Sequence, residues 1–471
     1  MGAPPVYSLP MMRKVFVYMA RSFRVAALGA VVLGAGLVAC PDAWAARSAS
    51  AAQSAGSITM SDAVERALRD NPTVGASAAE SRAAEEGRKS ARGAFGPSLG
   101  MSYGVSKIRK VSAPYSPAKS PEHGTYTWNV DVTQPVFTGF NLLSTYQKAA
   151  LEAERQKAAL RQTRLTMTQD VQSTFLEYLR SVENARSEGD ALARLRDQLK
   201  ITRAFYNVGL RPRLDVLQAE VDVANAEKLF IQAENTRDTN MARLNTLLGL
   251  PVTATPRYVG ELRHVPFSRG LEACLETAYR KRPDLHMAAK AVAIAEKDRK
   301  IVQSDYYPQV SAYYNISNYG NTPDMQLAGE NGGRGTQWEI GAQATWNVFE
   351  WGKTYYADQQ AGFNVTKVKY EETNLKLEVG YDIKSKLLAV QEAEKRISVA
   401  RKGLEQAQEA YNVAQARYQA QVGTNFDVLN ASSKLTAAEA SLTGAKADYL
   451  TALAQLYVAM GELHPDLMAA Q

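Results

Sequence analysis

The chain has 471 residues, 45% of them apolar but only 8% aromatic, with a formal charge of +7 and two cysteines. Much of the apolar share is alanine, which forms helices readily and fills thick cores badly, so thin, extended packing is expected. The weak positive balance, with charges alternating in sign along helical stretches, argues against a nucleic-acid stripe, and the four histidines and two cysteines lack zinc-ligand spacing, so no metal or cofactor is expected.

At the amino terminus Arg13, Lys14, Arg21 and Arg24 lead into the apolar run VAALGAVVLGAGLVA, residues 25–39. CPDAWA follows, with Ala43 and Ala45 at cleavage spacing. This reads as a signal peptide over residues 1–45, with a flexible segment over 46–57. Starting at Met12 would give a more usual signal length. Cleavage after Ala45 fits the Ala-Trp-Ala spacing, while LVAC ending at Cys40 also fits a lipoprotein box in which Cys40 is acylated; both processing routes stand. Cleavage after Ala45 leaves Cys274 as the last thiol, on the apolar helical face of LEACLETAY, where a small buried hydrophobe is expected. No later run approaches eighteen consecutive apolar residues.

The remainder is one unit written twice. AVERALRDNPTV at 63–74 matches CLETAYRKRPDL at 274–285, aligning Pro72 with Pro283, and FGPSLGMSYGVS matches YYPQVSAYYNIS, aligning Pro97 with Pro308. From PVFTG and NVFEW onward the offset holds at 212: Tyr206 falls on Tyr418, Asp215 on Asp427 and Gly249 on Gly461. The expected domains are repeat 1 over 58–252, a linker over 253–267, repeat 2 over 268–463 and a tail over 464–471.

Each repeat opens with helical sequence that breaks before its proline, because the residue ahead of proline is pushed out of helical geometry. Strict alternation comes next: Leu99, Met101, Tyr103 and Val105 against Ser98, Gly100, Ser102 and Gly104, then Tyr126, Trp128, Val130 and Val132 against Thr127, Asn129, Asp131 and Thr133. The second repeat does the same with Val310, Ala312, Tyr314 and Ile316, and with Trp338, Ile340, Ala342 and Ala344. Strands are expected at about 97–106, 125–135, 308–317 and 336–347, near the ~10 residues that a tilted strand needs to cross a bilayer. Alternation alone also fits a soluble antiparallel sheet with one wet face; the signal peptide and the aromatic strand ends favour the membrane. Polar Gly/Pro-rich stretches, 107–124 and 318–335, join each strand pair as external loops would. Four strands cannot close a barrel, since the smallest membrane barrels take about eight, so several chains must share one.

Long proline-free tracts follow, predicting helical hairpins over 141–249 and 353–461. At ~1.5 Å per residue the stretch 141–208 spans roughly 100 Å. Leu192, Leu195, Leu199 and Tyr206 keep heptad-like spacing, with alanines between that allow close helix approach. The turns GLRPRLDVL and GTNFDVL reverse the chain at the far end.

The order ALRDNP, QPVFTG, FYNVGLRPRLDVL with its partner RYQAQVGTNFDVL, and the closing LLG and AMG resembles the TolC family of outer-membrane channel proteins over essentially the whole mature chain. Within it the likeness points to type I secretion members, such as exporters of an adenylate cyclase haemolysin. The resemblance implies a mixed architecture: a homotrimer whose twelve strands form one β-barrel in outer-membrane lipid, continuous with a long α-helical tunnel through the periplasm of a Gram-negative cell. It also implies docking to a periplasmic adaptor and an inner-membrane pump, an ABC transporter in type I secretion, that supplies the exported substrate; no nucleic acid is a partner. By position it places Tyr206, Asp215, Gln218, Tyr418, Asp427 and Asn430 at the periplasmic entrance, with Asp215 and Tyr418 in its inter-helix contacts and Asp427 in an acidic ring. The chain departs from the family pattern where Asn430 replaces a second acid and where Gly423 occupies the expected gate-arginine position, while Arg211 and Arg213 lie on the other turn. Apart from any family, Asp215 and Asp427 also read as helix caps, and repeated carboxylates at a pore mouth favour cations.

No catalytic constellation accompanies this. GPSLG at 96–100 satisfies the G-x-S-x-G pattern, but a nucleophile elbow needs a strand before and a helix after it, the reverse of the order here. GENGGRG at 329–335 lacks a phosphate-cradle context. A drug-efflux duct and a periplasmic coiled-coil adaptor or scaffold are the competing readings. An adaptor does not need four membrane-length strands, and detergent-dependent extraction separates a duct from a scaffold released by osmotic shock.

Overall fold

In the computed structural model the residues described are 57–108, 123–323 and 335–467. The signal-peptide and Cys40 expectations, and most of both external loops, lie outside them.

Helix α1 (Met60–Asp70) starts with a capping box in which Thr59 and Asp62 satisfy each other's backbone N–H. Pro72 opens α2 (Pro72–Gly93), and the first strand pair is β1 (Ser98–Ile108) with β2 (His123–Thr138). Two long helices follow, α3 (Asn141–Asn207) and α4 (Arg213–Leu247). The second half repeats this as α5 (Leu271–Lys281), α6 (Pro283–Gln303), β3 (Gln309–Gly320), β4 (Gly335–Thr345), α7 (Lys353–Gln419) and α8 (Asn425–Ala459). Both long helices have 67 residues and both returning helices have 35, so the duplication extends to helix length.

The strands form one antiparallel sheet in the order β1-β2-β3-β4. Strand β2 runs past the boundary expected at residue 135. A register shift between Pro135 and Phe137 absorbs the missing proline N–H and lets pairing continue to Thr138. Among the described residues the outer strands β1 and β4 keep one edge each without a partner, the arrangement that a sheet shared between chains requires. At each strand-to-helix exit two consecutive residues take left-handed backbone, Gly139 with Phe140 and Trp351 with Gly352. The glycine and the aromatic exchange places between the halves. Gly139 is the more constrained glycine, because a Cβ there would lie 2.5 Å from the Ser304 carbonyl oxygen.

Near the sheet the helices lie side by side as α2, α3, α6, α7, and toward the far end as α4, α3, α8, α7. The main core sits where the short and long helices meet, with Met60, Phe175, Leu176, Leu244, Cys274, Ile383, Tyr449, Leu450 and Leu456 buried. Cys274 thus has the packing role expected of it, and its thiol is pushed up by burial. Here the residue before each proline ties down the end of a returning helix. The Asn71 side-chain amide donates to the Leu247 carbonyl at 2.9 Å, and Arg282 donates to the Ala459 carbonyl at 3.1 Å while holding Asp284 and Asp382 at 2.7 and 2.8 Å.

Along the free side of α7, Tyr356, Phe363, Tyr370 and Leu377 recur every seven residues and each is about 70% exposed or more. Such a stripe on a helix of this length calls for a lateral partner. Among the described residues no helix is long and apolar enough to cross a membrane.

Candidate functional site

The site is built by the two turns at the far end of the helices, joining α3 to α4 and α7 to α8. Each reverses through one left-handed residue, Gly209 at φ 79° and Gln421 at φ 63°. These are equivalent under the 212-residue offset, so the turns share a backbone although their glycines fall at different places in the sequence.

The helix starts differ. In the second turn Thr424 is the N-cap: its hydroxyl accepts from the Asp427 N–H, and the Asp427 carboxylate accepts from the Thr424 N–H at 2.9 Å. Pro212 occupies the equivalent N-cap position in the first turn, and no side-chain cap forms there. The capping expected at both aspartates is therefore realised at Asp427, as the third helical residue of a box, because proline has neither the hydroxyl nor the N–H that a reciprocal box needs.

Those hydrogen bonds, first from the Thr424 backbone N–H and then from its hydroxyl, hold the exposed Asp427 carboxyl below the usual aspartate range, with Arg417 adding a smaller pull. A depressed folded pKa means the box stabilises at neutral pH and is lost as pH falls through that lowered value. The protection of the amides over residues 424–428, taken relative to their intrinsic exchange rates at each pH, should fall as pH drops below the ordinary aspartate range of about 3.9, and protection that does not change with pH there would contradict the assignment.

Tyr418 is fully buried. Its hydroxyl lies 3.0 Å from the Thr202 hydroxyl, and its ring is 5.8 Å from that of Phe205. Arg211 crosses from the other turn: its guanidinium lies 5.3 Å from the Tyr418 ring centroid and donates to the Gly423 carbonyl at 2.7 Å. One arginine therefore joins the two turns. Higher up, the Gln198 amide donates to the Asn425 side chain at 2.9 Å in a buried contact, while Arg203 to Glu220 at 2.6 Å stays within the first hairpin.

Of the other positions named from sequence, Asp215 is half-buried, whereas Tyr206, Gln218, Asp427 and Asn430 face solvent in the single chain. The packed seam of α3 runs through Ala191, Leu192, Gln198 and Thr202. Tyr206, placed on that seam by heptad counting, is 41% exposed instead, because the spacing that packs the seam is set by its small and polar residues. Arg211, Thr202, Gln198 and Asn425 carry contacts without having been singled out as site residues. The signal for Arg211 was available: the 212-residue offset places it opposite Gly423, the carbonyl it reaches.

Asp222 on α4 adds an unbalanced group. It lines a small cavity with Leu195, Gln198, Ala219, Asn425 and Leu429, its Oδ2 is buried with no hydrogen-bond partner among the described residues, and burial pushes its carboxyl up. Among the described residues no cluster could hold a metal ion.

A short edge-open sheet continued by long helices, twice per chain, with matched turns at the other end, defines an outer-membrane duct that several chains complete together. The chain belongs to the outer membrane efflux protein family, whose pattern matches residues 63–250 and 274–462. It is 24% identical over 386 residues to the outer membrane efflux protein BepC of Brucella suis, covering 82% of this chain and 81% of that one. It is 24% identical over 394 residues to the alkaline protease secretion protein AprF of Pseudomonas aeruginosa, covering 80% and 79%. Its fold matches the Campylobacter jejuni CmeC outer membrane channel with a TM-score of 0.75 at 15% identity, over 85% of each chain. The protein is a non-enzymatic outer-membrane duct reaching into the periplasm, one of a family whose trimers work with an adaptor and an inner-membrane transporter.

Proposed function

We propose that this duct serves type I secretion: a protein cargo, driven by an inner-membrane ABC transporter through an adaptor, leaves by a passage that supplies no energy itself. The observation that carries the reading is the polar face of β1, where Ser98, Gly100, Ser102, Gly104 and Ser106 are all small. A smooth hydrophilic wall neither holds an apolar solute nor catches an extended polypeptide. The match with a protease secretion protein over 80% of this chain supports it. Small-molecule efflux is the second reading, favoured by the equally extensive match with BepC. Mild cross-linking in cells followed by mass spectrometry separates them: recovery of an ABC transporter supports secretion, and recovery of a proton-driven pump alone supports efflux.

The two turns are the closable periplasmic entrance. Tyr418 with Thr202, Gln198 with Asn425, and Arg211 with Gly423 hold the hairpins together, while Asp215 and Asp427 make the mouth acidic. Three chains repeat those carboxylates about the axis and raise the local negative potential. Asp427→Ala should raise conductance or lessen block by polyvalent cations in planar bilayers; unchanged values of both would remove the acidic-mouth role.

A further inference from the structure

The barrel wall carries a second, separate set of charges. Side chains alternate across each strand, and one face is apolar: Leu99, Met101 and Val105 on β1 pair in rows with Val132, Val130 and Tyr126 on β2, and Ile340 and Trp338 on β4 pair with Tyr314 and Ile316 on β3. That face meets lipid, so the other lines the passage. Over the lining positions within 98–106, 125–133, 309–317 and 335–345, Asp131 and Glu339 are the charged side chains, with no lysine, arginine or histidine.

These two carboxylates share one cross-strand row. Gly100 pairs with Asp131, Asp131 with Asn315, and Asn315 with Glu339. The neighbours leave room for the row and orient it. A Cβ at Gly100 would come within 2.6 Å of the Asp131 carboxylate, so the glycine clears the space that this side chain occupies. A Cβ at Gly341 would meet the Tyr313 hydroxyl at 2.7 Å, and that hydroxyl donates to Glu339 Oε1 at 2.7 Å. Asn315 donates to Asn129 at 2.6 Å.

We propose that the Asp131–Asn315–Glu339 row is a charge-selective ring inside the barrel, distinct from the acidic periplasmic mouth, that favours cations and cationic segments of cargo and disfavours anions. The inference rests on the trimeric barrel, in which two carboxylates per chain give six. Neighbouring strands lie ~4.8 Å apart, which puts Asp131 and Glu339 about 10 Å from each other, too far to chelate one ion. The row therefore acts through its potential, and its effect must depend on ionic strength. The screening length is about 30 Å at 0.01 M salt and about 3 Å at 1 M. At low salt the field reaches across the lumen, and at high salt it stays at the wall.

The test is the reversal potential of single channels under a potassium chloride gradient. Trimers carrying Asp215→Asn and Asp427→Asn, so that the mouth does not mask the barrel, are compared with and without Asp131→Asn plus Glu339→Gln. The cation-to-anion permeability ratio should fall by about twofold or more near 0.01 M salt and change little near 1 M. An unchanged ratio at low salt, with conductance like that of the starting trimer, would overturn the proposal. If the double variant does not insert, Asp131→Asn alone is read by the same criterion. Absence of any current from the unmodified protein would instead count against the duct itself, so the two failures are distinguishable.

Discussion

Arg211→Ala should open the periplasmic entrance. The guanidinium is the group that ties one turn to the other, through the Gly423 carbonyl at 2.7 Å and the face of the buried Tyr418 ring. A hydrogen bond from a charged donor contributes roughly 1.5–3 kcal/mol. Its loss should lower the closed-to-open ratio of each protomer by about tenfold or more. Because the acceptor is a carbonyl, acidification should not mimic the variant. Adding Tyr418→Phe removes the contact with Thr202 and should open the mouth further, whereas Arg211→Lys keeps the charge but loses the planar stacking on the ring and should fall between. Single-channel conductance reads all three. Equal conductance in Arg211→Ala and the unmodified protein would show that the turns are held by something else.

Arg282→Ala should cost more stability than the equivalent change in the first half, Asn71→Ala. The arginine side chain is 17% exposed and serves Asp284, Asp382 and the last carbonyl of α8 together. Removing it strands two carboxylates that are 23% and 37% exposed. Breaking a fully buried pair costs about 3–5 kcal/mol, and partial exposure lowers the expectation to about 2–3 kcal/mol. Asn71→Ala removes the equivalent anchor in the first half, which is uncharged, and should cost about 1 kcal/mol. Unfolding in guanidinium, followed by helical circular dichroism, measures both. Equal losses would contradict the assignment of the larger role to the charged node.

Most of the architecture was legible in the sequence because its signals are periodic and doubled. Prolines 72 and 283 mark helix starts, alternation marks four strands, and the 212-residue offset carries the hairpin through both halves. Local chemistry was less legible. Pro135 signals a strand end, yet a register shift beside it lets β2 continue. Asp215 and Asp427 look alike in sequence and diverge because Pro212 stands where Thr424 does in the other turn. Tyr206 fits a heptad but leaves the seam, which Gln198 and Thr202 fill with hydrogen bonds that hydrophobic periodicity does not register. The arginine link was legible only in part: the 212-residue offset sets Arg211 opposite Gly423, but the contact exists only once the two hairpins lie side by side.

The unpaired edges of β1 and β4 and the apolar stripe on α7 make one demand, that identical chains close around a common axis. Native mass spectrometry of the protein released from outer membranes in mild detergent measures this directly. A particle of three chains is the predicted result, and a stable single chain that keeps its strands would contradict it.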